Sequence, residues 1–363
     1  MPSIPTETEG FQVDTPGVPP DFNRRSFKLK AADDYDVDIK IEACGVCGSD
    51  VHTVTGGWGK QNFPLCVGHE IVGRAVRVGP KVTLVKVGQR VGVGAQVYSC
   101  GECKQCKEEN ETYCQVNLIN TYGSPWPGTD IVSQGGHAAY IRTNEYWVFP
   151  IPESLPTAAV APMLCAGLTV YSPLVRHGAL KKGAKVGIVG IGGIGHFGIL
   201  FAKALGAEVW AISRSRTKEA DARALGADGF LATNEEGWAA PHRCTFDLIV
   251  NCANSIDNFD LAAYLSLMDV HGRWISVGMP EEAGQTVRAQ DLASNGVLIG
   301  ASHLGSRREM LDMLKLAADK NIKPWVEEIQ LGETGLKEVI TRLKKGDVRY
   351  RFTLTGYDEV FGQ

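Results

Sequence analysis

The stretch KVGIVGIGGIGHFGILFAKALG (185–206) decides how the chain is read. KVGIVG (185–190) is a short apolar run with strand character. GHFGILFAKALG (195–206) has apolar residues at helical spacing and closes on Gly206, a C-capping residue. Between them, Gly190-Ile191-Gly192-Gly193-Ile194-Gly195 spells G-x-G-x-x-G at a strand-to-helix junction. Each glycine has a physical task. The first permits a tight turn, the second lets a pyrophosphate approach the backbone, and the third lets helix and strand pack closely. Free N–H groups at the helix N-terminus then face the phosphates. In a chain with 42 glycines such a match arises easily by chance, so the flanking elements carry the reading. AEVWAIS (207–213) supplies the next strand and TKEADARALG (217–226) the next helix. FDLIVNCA (246–253), GRWISVG (272–278) and GVLIGAS (296–302) read as further buried strands. Strands alternating with helices predict an α/β unit, a doubly wound parallel sheet covered on both faces.

The tip of the second strand selects the dinucleotide. An acidic residue about 20 positions beyond the glycines would hold a ribose 2′-hydroxyl. The chain instead offers Ser213, Arg214, Ser215, Arg216, Thr217 and Lys218. Cations at a helix start oppose the helix dipole, and a bound anion would account for them. The reading is a 2′-phosphate, hence NADP(H) rather than NAD. The plain alternative is a solvated, basic helix start.

Upstream the texture differs. VDIKIEA (37–43) alternates apolar and polar residues, as a half-buried strand does. Residues 67–98 are valine-rich runs broken by glycines, the pattern of an all-β unit with tight turns. An alanine-rich helical stretch begins after Pro156. A helix over 306–319 and a strand around 349–354 close the chain, and periodicity does not say which unit they join.

Two groups of residues carry metal chemistry. Cys100, Cys103, Cys106 and Cys114 form C-x2-C-x2-C-x7-C, four thiolates able to close a tetrahedral shell around Zn²⁺ with no open position. Lys104 and Lys107 would offset part of its negative charge. An iron–sulfur cluster competes, but the ferredoxin run has a shorter last gap and a following proline, whereas Gln115 follows here. The second group is dispersed: Cys47 in CGVCGSDVH (44–52), His69 and Glu70 in VGHEIVG, Cys165 in MLCAGLTVY. Singly, each reads as an ordinary core residue. Together two cysteines and a histidine leave a fourth position open, as a catalytic zinc requires. Cys44, Cys66, Cys244 and Cys252 read as small buried hydrophobes.

Composition bounds these readings. A chain of 363 residues is expected to form two domains. Hydrophobic residues make up 44% and the net charge is −4, which gives no support for nucleic-acid or membrane-surface binding. No apolar run reaches the ~20 residues of a membrane helix. The N-terminal stretch lacks the basic and apolar regions of a secretory signal. Ten cysteines fit metal ligation in a reducing, cytoplasmic setting better than disulfides.

These residues resemble the medium-chain, zinc-dependent alcohol dehydrogenase family, and within it the cinnamyl alcohol dehydrogenase-type, NADP-dependent branch. The likeness runs from about residue 35 to 354 and is carried by CGVCGSDVH, VGHEIVG, the four-cysteine loop, QGGHAAYI, MLCAGLTVYSPL, GIGGIGH and DVRYRF. The resemblance implies a GroES-like β-barrel catalytic domain from residues 1–157 with 303–363. A Rossmann NADP(H)-binding domain over 158–302 would be inserted in it, with the active site in the cleft between. Cys47, His69 and Cys165 would hold the catalytic zinc, which Glu70 can approach, and the four-cysteine loop would hold a structural zinc. Ser49 would take the proton of the bound alcohol and pass it, through the nicotinamide ribose, to His52. Asp50 would orient the histidine ligand, as metal sites require. Thr169 would lie near the nicotinamide, and Arg349 would contact the pyrophosphate. Trp58, Trp126 and Leu65 are candidates for the substrate pocket; His137 receives no role. The family further implies a homodimer that interconverts primary alcohols and aldehydes, aromatic, cinnamyl-type or medium-chain. A catalytically idle, NADP(H)-binding relative and a zinc polyol dehydrogenase are the competing readings; Cys165, where the latter often has glutamate, speaks against it.

Overall fold

The computed structural model describes residues 6–255, 257–281 and 286–362. The chain divides into two units: one runs to Cys165 and resumes at Ser306, the other spans Ala166–Gly305. The sequence puts these crossings at 157/158 and 302/303. The structure keeps Ala158–Cys165 with the first unit, a segment packed into it. Thr353 Oγ1 donates to Ala158 O at 2.8 Å, and a Cβ on Gly92 would stand 2.6 Å from the Leu164 side chain.

The first unit is built on a seven-stranded sheet. Its path runs Val326–Gln330, Arg351–Thr355, Asp36–Val46, Glu70–Val78, Arg90–Val93, Phe149–Pro150, with Tyr140–Asn144 also paired to Asp36–Val46. The two C-terminal strands therefore belong here, with Phe352 opposite Val46. Alternation in Asp36–Val46 sends Val37, Ile39 and Ile41 into a core shared with Val91, Val93 and Phe352. That burial is the main stabilisation of the unit.

The second unit is a six-stranded, all-parallel sheet. The order is Gly229–Ala232, Glu208–Ser213, Lys185–Val189, Phe246–Asn251, Met268–Ser276, Leu298–Ala301. The chain starts mid-sheet, winds outward one way, then returns and winds the other way. The reversal falls between Lys185–Val189 and Phe246–Asn251, where such sheets bind their ligands. One strand differs from its sequence reading. GVLIGAS reads as buried, yet Leu298 is 53% and Ile299 40% exposed. The apolar run is real, but the strand sits on the sheet's edge. No single helix among the described residues is long and apolar enough to cross a membrane.

Candidate functional site: two metal centres and a dinucleotide turn

The dispersed group converges. Ligand atoms of Cys47, His69, Glu70 and Cys165 all lie within 4.8 Å of one another, and all four residues are buried. Each arrives at the end of an element. Cys47 follows the strand Asp36–Val46 and precedes the helix Gly48–Thr55. His69 immediately precedes the strand Glu70–Val78, and Cys165 ends the tight turn Ala161–Leu164.

Asp50 ties these pieces together. One oxygen accepts the Cys47 N–H at 2.8 Å, capping the helix. The other accepts the Gly68 N–H at 3.1 Å and faces His69 Nδ1 at 3.2 Å. That contact fixes the imidazole so that Nε2 points to the cluster, 3.2 Å from Cys165 Sγ. Burial opposes charge on His69, but the Asp50 carboxylate holds its pKa well above the ordinary value. Ser49 Oγ lies 3.7 Å from Cys47 Sγ.

Glu70 is buried with an unusual partner. Its Oε1 pairs with the guanidinium of Arg351, itself 2% exposed. Its Oε2 has no hydrogen-bond partner. Gly45, opposite Glu70 in the sheet, makes room for that carboxylate, since a Cβ there would stand 2.1 Å from Oε2. Burial pushes Glu70 up to about 8, against the pull of Arg351. An orphaned carboxylate oxygen beside two thiols and an oriented imidazole fits a Zn²⁺ ion. Two thiolates and a neutral imidazole would balance its charge and leave one position open.

The four-cysteine loop also closes. Its sulfur atoms lie 3.5 Å (Cys114–Cys100), 3.6 Å (Cys103–Cys106), 3.9 Å (Cys100–Cys106) and 3.9 Å (Cys103–Cys114) apart. The N–H groups of Cys103 and Asn117 point at Cys100 Sγ and Cys114 Sγ, at 3.3 and 3.5 Å. Burial raises the Cys114 thiol, but N–H donors outweigh it and hold the group at about 6. Four such sulfurs fit a closed, structural zinc.

The glycine turn follows the sequence logic. Gly190 has φ +82. A Cβ on Gly195 would stand 2.0 Å from Gly190 O, whereas one on Gly192 would meet nothing within 4 Å. The third glycine is thus a packing residue, and the second leaves the turn open. Gly193 and Ile194 complete the turn before the helix Gly195–Ala204, and Thr169 lies buried in the helix Ala166–His177. At the strand tip, Ser213 is half-buried and Arg214 exposed. Lys218 reaches back to the turn, its Nζ donating to Ile191 O at 2.8 Å, and burial lowers its pKa. Arg216 is held by Glu235 at 2.6 Å and Glu219 at 2.8 Å. Of the three cations, Arg216 is thus taken up by carboxylates, whereas Lys218 lies against the glycine turn.

Arg349 lies in the first unit, as its place in the sequence implies, with its guanidinium 5.1 Å over the Trp325 ring and its N–H on Glu327 at 3.0 Å. The arginine at the metal pocket is Arg351, two residues on in DVRYRF, which sequence reading missed. Tyr122, also missed, tilts over His69 with ring centroids 5.6 Å apart; no motif marks it. Leu65 is core, and Trp126 packs on Tyr98 at 6.1 Å and under Lys30. Cys44 and Cys66 are buried as read, but Cys244 is exposed and Cys252 only half-buried. Cys244 follows a short turn with a left-handed backbone, φ 54, which carries it to the surface.

Comparison with known proteins places this geometry. Residues 33–153 match the alcohol dehydrogenase GroES-like domain, and residues 193–319 the zinc-binding dehydrogenase domain. The NADP-dependent alcohol dehydrogenase 6 of Saccharomyces cerevisiae is 49% identical over 361 residues, 99% of either chain. Cinnamyl alcohol dehydrogenase 8 of Arabidopsis thaliana is 39% identical, over 91% of this chain and 90% of its own. Among solved structures, a cinnamyl alcohol dehydrogenase of Sorghum bicolor superposes with TM-score 0.88 at 33% identity, over 96% of this chain and 97% of its own. One of Helicobacter pylori, complexed with NADP(H), superposes with TM-score 0.86 at 30% identity, over 97% of this chain and 99% of its own.

Proposed function

The chain belongs to the medium-chain, zinc-dependent alcohol dehydrogenase family, in its cinnamyl alcohol dehydrogenase-type branch, and we propose that it works chiefly as an aldehyde reductase. It is an NADP-dependent zinc alcohol dehydrogenase. The reaction joins aldehyde, NADPH and a proton to give primary alcohol and NADP⁺. The observation that carries this reading is the convergence of Cys47, His69, Glu70 and Cys165 around one point. The same chain holds a dinucleotide turn whose strand tip bears Arg214 and Lys218 and no carboxylate.

Zinc held by Cys47, His69 and Cys165 supplies a Lewis acid for the carbonyl oxygen. The protein's own groups do the rest. Asp50 keeps His69 in the ligating tautomer and orientation. Arg351 balances Glu70, so a carboxylate can stay beside the open position without a second metal charge. Ser49 takes or gives the proton of the substrate oxygen, and His52 exchanges it with water. Gly190, Gly192, Gly193, Ile194 and Gly195 cradle the pyrophosphate; Ser213, Arg214 and Lys218 bind the 2′-phosphate. Thr169 and Arg349 keep the roles that the family resemblance gives them.

Aromatic, cinnamyl-type or medium-chain aldehydes are the proposed substrates. NADPH is ordinarily the reduced, abundant form in cells, which favours reduction. Cysteines free of disulfides support a cytoplasmic setting. The exposed edge strand with Leu298 and Ile299 supports a homodimer joined across a two-fold. Ser49, His52 and every ligand candidate being present speaks against an idle relative. The test is cinnamaldehyde and hexanal reduction with NADPH and NADH in parallel. NADPH-dependent turnover that vanishes on zinc removal is expected. Turnover with NADH alone would overturn the reading of Arg214 and Lys218, and alcohol oxidation without aldehyde reduction would overturn the direction.

A further inference from the structure

We propose that Trp58 is a positioning residue for proton transfer: its indole holds the His52 imidazole in the orientation from which it exchanges a proton, a role that rests on His52 being the outer end of the relay. Ser49 and His52 stand three residues apart on the helix Gly48–Thr55, so their side chains share a face. Ser49 lies beside Cys47. His52 lies further along, half-buried.

Beyond Thr55 the chain reverses. Gly56, at φ +81, donates its N–H to Thr53 O at 3.3 Å, and Gly59 donates to Gly56 O at 3.1 Å. Gly59 is also left-handed, at φ +83. Pro16 packs on the turn, where a Cβ on Gly56 would stand 3.2 Å from its ring. The turn lays Trp58 over His52. The ring centroids are 4.7 Å apart and the planes inclined by 17°. That is a near-parallel, offset stack, a favoured arrangement for two aromatic rings. Trp58 is 39% exposed, so core filling does not explain a tryptophan here.

The stack has a direct consequence for a proton carrier. It removes rotamer freedom from the imidazole, so less ordering is left to the moment of transfer. Indole neither gives nor takes this proton, so Trp58 acts only through His52. An aromatic pair of this kind is worth a factor of about 2 to 10.

The test uses zinc-loaded, full-length Trp58→Phe, Trp58→Ala, His52→Ala and the double Trp58→Ala/His52→Ala variant. Imidazolium quenches a stacked indole, so acid is expected to dim one component of tryptophan fluorescence in the parent. That component should vanish in both Trp58→Phe and His52→Ala. For cinnamaldehyde reduction, Trp58→Ala should lower kcat about 2- to 10-fold with the KM for NADPH unchanged, and Trp58→Phe should recover most of it. The double variant should match His52→Ala alone, because the stack has no partner there. The proposal is overturned if Trp58→Ala lowers kcat equally with and without His52, if it changes only the KM for the aldehyde, or if the acid-quenched component survives His52→Ala. Each of those results leaves the relay standing. If His52→Ala changes neither kcat nor its pH profile, the relay reading itself falls.

Discussion

The four-cysteine loop and the Cys47–His69–Cys165 pocket both gather metal ligands, and they do so in opposite ways. The loop draws all its ligands from residues 100–114, and three of the four sulfurs are only half-buried. Backbone N–H groups of Cys103 and Asn117 point at two of the four sulfurs. The pocket draws ligands from three separate stretches and buries every one. Behind them stand two charged residues with defined partners, Asp50 on His69 and Arg351 on Glu70. A closed set of four thiolates locks a segment of chain. An incomplete set backed by oriented charges keeps a position open and tunes what enters it. The difference separates a metal that holds structure from a metal that does chemistry.

That contrast is breakable at several points. The largest effect is expected for Cys47→Ala, which should lower turnover at least about 1000-fold while the fold persists. Cys103→Ala should do the reverse, lowering the melting temperature while the molecules still folded keep turning over. Equal losses of activity and stability in both variants would erase the distinction. Next, Arg351→Met leaves the buried Glu70 carboxyl without its partner and should cost about 1–3 kcal/mol of stability by denaturant unfolding. Adding Glu70→Gln should restore much of it; if it does not, the ion pair is not the reason Arg351 is buried. Asp50→Asn should weaken zinc at the pocket by about 10- to 100-fold in chelator competition and leave the loop's zinc untouched.

The smallest effect is expected from His137→Phe. His137 is fully buried with neither ring nitrogen hydrogen-bonded. Burial pushes its pKa down to about 4, so the folded protein keeps it neutral where an unfolded chain, with pKa about 6.5, takes a proton. Its contribution is therefore complete above about pH 6.5 and is lost as pH falls toward 4. The variant should match the parent at pH 8 and exceed it by about 2 kcal/mol at pH 5. A parallel fall in both proteins would contradict this.

How much was legible in the sequence follows from the same contrast. Local patterns read well: the glycine turn, the strand tip at Ser213–Lys218 and the four-cysteine loop are each determined within a few residues. The dispersed ligands became readable only through the family resemblance, because nothing local to Cys47 or Cys165 announces a partner far along the chain. Arg351 was missed because DVRYRF offers two arginines close together, and only the fold shows that the strand Arg351–Thr355 begins at the second and sets it on Glu70. Tyr122 and Trp58 reach their partners by turns that periodicity does not report. GVLIGAS was read as buried because an apolar run does not reveal whether its strand lies at a sheet's centre or edge.

The most direct test is to follow zinc content, turnover and melting temperature in one sample during stepwise chelation. Two zincs per chain are expected at the start. The first should leave the open pocket and take turnover with it while melting temperature holds. The second should leave the loop only as melting temperature falls. A single zinc at the start, or turnover and melting temperature lost together in one step, would contradict two metal centres with separate tasks.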